Sequence, residues 1–131
     1  MSPAPARLVL YVEDDRINIV LMEEVFRRLP AWQLECAEDG AQALSLLETL
    51  RPDLVLIDMN LPDMSGLDLL ARLRSSALHA GLNCVALSAD DLSDQVDAAR
   101  AAGFSDYWFK PFDVMQMVAA LRATLAEPSK A

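Results

Sequence analysis

Short apolar runs alternate along this chain with longer stretches whose apolar positions recur at helical spacing. Leu8–Val12 (LVLYV) is apolar without alternation, the pattern of a strand covered on both faces. Residues 15–29 then bring Asn18, Leu21, Met22, Val25 and Leu29 to one helical face, leave Ile17, Ile19 and Val20 off it, and stop at Pro30. Residues 32–37 alternate as a strand does, with Trp32, Leu34 and Cys36 on one side and Gln33 and Glu35 on the other. Asp39-Gly40 reads as a turn, 41–50 as a short helix and 54–57 as a second buried strand. After a loop holding Pro62 and Gly66, residues 67–78 return to helical period, and 84–87 form a third buried strand. An Ala-rich helix over 92–102 closes at Gly103, 107–109 form a last strand, and Asp113 caps a final helix reaching 126. Trp108 and Phe109 read as core residues.

Five strand–helix alternations predict parallel strands joined by right-handed helical crossovers, hence an open three-layer α/β sandwich. In such sheets ligands bind beyond the carboxyl ends of the strands, near the switch in strand order. Length and composition leave that picture intact. The 131 residues suit one domain spanning 7–126, with residues 1–6 read as disordered and 127–131 as a frayed tail.

Charge narrows the partners. With 20 acidic and 11 basic side chains the net charge is −9, which disfavours nucleic-acid and anionic-membrane surfaces. Cys36 and Cys84 sit in short apolar runs and read as free thiols of a reducing compartment. No apolar run approaches membrane-spanning length and the start does not resemble a signal peptide, so a cytoplasmic location is expected.

The chemistry gathers at the predicted strand ends. The first strand runs into Glu13-Asp14-Asp15, the second buried strand into Asp58, the third into Ser88 and the last into Lys110-Pro111. Asp15 by itself reads as a helix N-cap, whereas Asp58 precedes a Pro-containing loop and no helix. Acids converging at one site repel and hold protons above their normal range unless a hard cation joins them. Mg²⁺, which takes oxygen ligands and keeps several waters, suits Asp14 and Asp58 with a loop carbonyl. A cation, a hydroxyl and an ammonium around one carboxylate fit phosphoryl transfer, where catalysis is mostly positioning and charge neutralisation.

Four stretches carry a family resemblance: residues 12–15 (VEDD), 56–66 (LIDMNLPDMSG), 86–89 (ALSA) and 107–112 (YWFKPF). Together and in this order they resemble the receiver domains of two-component response regulators, both stand-alone and those of hybrid sensor kinases, over about residues 7 to 126. The resemblance implies a flavodoxin-like fold with a five-stranded parallel sheet in the order 2-1-3-4-5, one of the common orders of doubly wound sheets. It implies that Asp58 takes a phosphoryl group from a phosphohistidine of a sensor kinase or histidine phosphotransfer protein. Asp14 would bind Mg²⁺ (or Mn²⁺) directly, Glu13 through water, and Asn60 through its backbone carbonyl. Ser88 and Lys110 would contact phosphoryl oxygens, the Lys110–Pro111 peptide would be cis, and Tyr107 would swing inward as the switch. Asn60 and Asp90 would flank the path of an attacking water and tune phosphoryl lifetime.

The domain so read is a switch that binds a downstream partner, not a conventional enzyme, and self-association into a homodimer stays open. An Mg²⁺-dependent aspartyl-phosphate phosphatase is the enzymatic rival. Such enzymes usually carry a second acid two residues after the nucleophile, where this chain has Asn60. The single histidine, His79, falls in a predicted surface loop away from the strand ends. Ile17, Ile19 and Val20 offer a docking rim for a histidine-containing phosphodonor, a reading equally matched by a crowded helix edge with no partner.

Overall fold

The computed structural model describes residues 7–89 and 93–125. Five strands alternate with five helices: β1 (Leu8–Val12), α1 (Arg16–Arg27), β2 (Gln33–Ala37), α2 (Gly40–Leu46), β3 (Leu54–Asp58), α3 (Gly66–Arg74), β4 (Cys84–Ser88), α4 (Ser93–Ala102), β5 (Asp106–Phe109) and α5 (Val114–Thr124). All strand pairs are parallel, in the order β2-β1-β3-β4-β5. The expected sandwich and strand order are therefore present. The order reverses between β1 and β3, which opens a crevice at their carboxyl ends.

Burial explains the sequence pattern. Alternate residues of the central strands feed two separate cores, so neither face can be polar. Leu10, Val12, Val55, Ile57 and Ala86 pack under α2, α3 and α4 with Ala43, Leu69, Leu70, Leu73 and Ala99. Val9, Tyr11, Leu54, Leu56, Val85 and Leu87 pack under α1 and α5 with Met22, Val25, Met117 and Leu121. Each fully buried aliphatic side chain of this kind contributes about 1.5–3 kcal/mol. The edge strand β2 keeps its alternation because Gln33 and Glu35 face solvent.

Helix starts follow their caps. The side chains of Asp15, Asp39, Ser65 and Asp113 accept hydrogen bonds from the first turns of α1, α2, α3 and α5. Asp39 is thus a cap where a bare turn was expected, and α2 and α3 end several residues earlier than the periodicity suggested. Gly103 closes α4 at φ 117°, a conformation that favours glycine.

Two burial expectations are corrected. Ile19 is 5% exposed and belongs to the inward face of α1, because that helix packs against both the sheet and α5 and so needs a wider apolar stripe. Phe109 is 48% exposed at the end of the edge strand β5, where an apolar run sets strand propensity but not cover. Trp108, on the opposite face, packs against the core as expected. Both cysteines are free. His79 is partly buried and its Nε2 lies 2.9 Å from the carbonyl oxygen of Leu47, the residue that caps the end of α2. Among the described residues no helix is long and apolar enough to cross a membrane. The expectations for residues 1–6 and 127–131, and for Asp90, lie outside the described residues.

Candidate functional site

Sheet register decides which side chains share the crevice. Val12 pairs with Ile57, Asp58 with Leu87 and Ser88 with Phe109, so four strands end at one level. The ladder runs one residue further through Glu13 N–H to Ala37 O (2.9 Å), Met59 N–H to Leu87 O (3.0 Å) and Lys110 N–H to Ser88 O (2.9 Å). Glu13, Asp58, Ser88 and Lys110 therefore arrive at the same sheet edge from four strands. A cleft of about 300 Å³ opens there, lined by Glu13, Asp14, Asp15, Asn18, Asp58, Asn60, Ala89 and Lys110.

Carboxylate oxygens of Glu13, Asp14 and Asp58 lie within 4.8 Å of one another. Glu13 is fully buried, Asp58 is 4% exposed and Asp14 faces solvent. The Lys110 ammonium reaches between two of them, 2.6 Å from Glu13 Oε1 and 3.3 Å from Asp58 Oδ2. Asp58 Oδ1 also accepts the Asn60 backbone N–H at 3.0 Å. Burial raises the Asp58 carboxyl to about 6, and the neighbouring Glu13 adds to the rise against the opposing pull of the Asn60 N–H and Lys110. Among the described residues one ammonium faces these three carboxylates, which leaves the cleft short of positive charge. An open, all-oxygen donor set of this kind fits a hard divalent cation.

The loop after β3 folds back against the cleft. Gly66 N–H bonds Met59 O at 2.9 Å and Asn60 bridges Ser65, so the chain doubles back beside the cleft. A Cβ at Gly66 would stand 2.9 Å from Met59 Cα and 3.0 Å from Asp58 O, which only glycine avoids. Asp63 ties the same loop to α2, its two carboxylate oxygens accepting the Gly40 and Ala41 N–H groups at 2.9 Å each.

Most of the residues singled out in the sequence meet here. Glu13, Asp14, Asp58, Asn60 and Lys110 line the cleft, and the Lys110–Pro111 peptide is cis. Ser88 ends β4 at the same edge and is 2% exposed, and the adjacent Ala89 lines the cleft. Tyr107 is 4% exposed, already packed inward with its ring centroid 5.3 Å from that of Phe109. Asp15 accepts the Ile17 N–H at 2.8 Å, the capping role read for it, and lines the cleft as well.

Three participants were not singled out. Asn18 looked like part of a packed helix face, yet it lines the cleft. Ala89 carries no chemistry that a sequence could flag. Tyr11 read as one more apolar strand residue, although its hydroxyl donates to Glu13 Oε1 at 2.8 Å. Burial, followed by the Glu13 charge, pushes the Tyr11 phenol above its ordinary range, so it remains a donor. The spacing of two between Tyr11 and Glu13, which puts both on one strand face, was the available signal.

Comparison with known proteins agrees with this geometry. Residues 9–122 match the family model of the response regulator receiver domain. TcrX of Mycobacterium tuberculosis is 39% identical over 117 residues, 89% of this chain and 49% of its own length. The DNA-binding response regulator MtrA of Mycolicibacterium paratuberculosis is 35% identical over 116 residues, 88% of this chain and 50% of its own. The chain thus spans about half the length of these curated relatives. The receiver domain of the sensor histidine kinase PA1611 of Pseudomonas aeruginosa, solved with magnesium coordinated in its active-site cleft, superposes with a TM-score of 0.79 at 28% identity. That alignment covers 90% of this chain and 96% of the other. Strand order, acidic cleft and sequence matches converge on one assignment: the chain belongs to the receiver domain family of two-component response regulators.

Proposed function

We propose that Asp58 accepts a phosphoryl group from a phosphohistidine and that the resulting change of shape is read by a binding partner. The observation that carries this reading is the Lys110 ammonium set between Glu13 and Asp58, with Asp14 beside them at an open cleft. An Asp58 oxygen forms the new bond to phosphorus as the bond to the imidazole nitrogen breaks, and that nitrogen takes up a proton. Asp58 Oδ1 is oriented by the Asn60 N–H, so the carboxylate presents a fixed face to the incoming phosphorus. Lys110 then turns from the carboxylates to a phosphoryl oxygen, and Ser88 supplies a hydroxyl to another.

Asp14 and Asp58, the Asn60 carbonyl and, through water, Glu13 would hold Mg²⁺. When bound, the ion supplies neutralisation of the charge that builds on the transferring group. The magnesium in the PA1611 receiver supports this choice of metal. Two residues beyond Asp58, where aspartyl-phosphate phosphatases usually carry their second acid, this chain has Asn60. The domain in this reading is a switch rather than a turnover enzyme.

A phosphorylated histidine on a sensor kinase or phosphotransfer protein must reach the cleft past α1. Ile17 and Val20, 72% and 56% exposed, lie beside the cleft-lining Asp15 and Asn18 and form an apolar contact for that donor. The net charge of −9 argues against direct nucleic-acid contact by this domain. That argument does not extend to a longer protein, since MtrA is a DNA-binding regulator by name and twice the matched length. A cytoplasmic setting follows from the proposed kinase partner.

Incubation with Mg²⁺ and a small-molecule phosphodonor, followed by intact mass, tests the reading. One added phosphoryl group that disappears in Asp58→Ala is expected. No addition to the wild-type chain, or an undiminished addition in the variant, would overturn it.

A further inference from the structure

We propose that Tyr11 is a positioning residue of the phosphoacceptor cleft, its hydroxyl holding Glu13 in place when Lys110 leaves for a phosphoryl oxygen. The inference rests on the function proposed above and concerns a residue of the hydrophobic core that this function does not otherwise use. Glu13 is fully buried, and three donors reach its carboxylate. Oε1 accepts from Tyr11 Oη at 2.8 Å and lies 2.6 Å from Lys110 Nζ, while Oε2 accepts the Asp15 N–H at a longer 3.2 Å.

The two donors on Oε1 differ in freedom. Lys110 sits on a flexible four-carbon stem and is already shared with Asp58. Tyr11 is fully buried in the layer beneath α1 and α5, among Met22, Val25, Leu87 and Met117, so its ring is fixed by packing. A buried carboxylate stripped of its ammonium partner is heavily penalised unless another donor remains. Tyr11 is that donor on Oε1, and its contact is shorter than that of the Asp15 N–H on Oε2. It anchors Oε1 and leaves Oε2, at the longer contact, free to turn toward metal-bound water.

A phenylalanine would fill the same space in the core and satisfy β1 equally well. The hydroxyl is therefore separable from the packing. If Tyr11 were merely a core residue that found an acceptor, Tyr11→Phe would alter stability and leave the cleft's affinities alone.

The test measures Mg²⁺ binding by calorimetry and the rate of phosphorylation by a small-molecule phosphodonor in wild type, Tyr11→Phe, Glu13→Ala and the double variant. Thermal unfolding of each confirms that it is folded. In Tyr11→Phe the Mg²⁺ Kd is expected to rise roughly ten- to a hundredfold, the range for one lost hydrogen bond to a charged group, with a slower phosphorylation rate. In the Glu13→Ala background the same change is expected to do nothing further, because the hydroxyl acts only through that carboxylate. Wild-type Mg²⁺ affinity in folded Tyr11→Phe overturns the inference, as does an equal loss with Glu13 absent. Failure of the wild-type chain to phosphorylate would instead sink the functional reading, and the Mg²⁺ comparison decides the role of Tyr11 in either case.

Discussion

Asp58 gains its standing from its surroundings rather than from its type. An aspartate after an apolar strand is common, but this one is 4% exposed, beside Glu13 and Asp14, and faces one shared ammonium. Its carboxyl is raised from an ordinary 3.8 to about 6, burial being the largest cause. The folded state therefore binds more protons than the unfolded state between those values, and Asp58's contribution makes stability fall as pH rises through about 6. Asp58→Asn is expected to stabilise the metal-free protein at pH 7, by on the order of 1–3 kcal/mol. That advantage should shrink as pH falls from about 6 to about 4, where the folded state holds a proton that the unfolded state has released. Urea unfolding of both proteins across that range checks the prediction, and a gap that ignores pH would contradict it. The sequence exposed Glu13, Asp14, Asp58 and Lys110 because charged groups after apolar runs are conspicuous. It concealed Tyr11, whose apolar ring fits the strand pattern while its hydroxyl bonds a buried carboxylate.

The loop between β3 and α3 carries the site at the level of elements. Its path is set by the Gly66 N–H to Met59 O bond and by Asp63 on the start of α2. Gly66→Ala would drive a Cβ against Met59 backbone at 2.9 Å. The expected outcome is a loss of about 1–3 kcal/mol in unfolding free energy together with weaker Mg²⁺ binding, because the Asn60 carbonyl shifts with the loop. Chemical denaturation and calorimetry on the same samples check both; a stability loss with unchanged Mg²⁺ affinity would detach the loop from the site. Strand and helix identities were legible in periodicity, but several ends were not. The end of α3 fell at Arg74 although helical spacing continued beyond it, and Asp39 capped α2 where the dipeptide signalled only a turn. Propensity is local, whereas a helix ends where packing against the sheet stops stabilising another turn.

Across the whole molecule, fold and charge act together. A sheet that reverses its order between β1 and β3 leaves a crevice, and a chain of net charge −9 lines it with four acidic residues, three of them with oxygens within 4.8 Å of one another. Divalent binding should stabilise the folded state in proportion to saturation, by about 2.7 kcal/mol at a hundredfold excess of Mg²⁺ over its Kd. The rise in melting temperature with Mg²⁺ should be largely lost in Asp58→Ala and should weaken as ionic strength screens the acidic field. Scans at several Mg²⁺ and salt concentrations test this, and equal stabilisation of both proteins would place the ion elsewhere. The sequence alone determined the alternation of strands and helices, hence the parallel sandwich, since a strand buried on both faces must be apolar throughout. It also determined which charged groups stand at strand ends, because those interrupt the apolar runs. Only the tertiary structure decided that Ile19 is inside and Phe109 outside, that Asn18 and Ala89 line the cleft, and that Tyr11 reaches Glu13. Each of these depends on which neighbour covers a position or how far a side chain extends, and periodicity along one strand or helix contains neither.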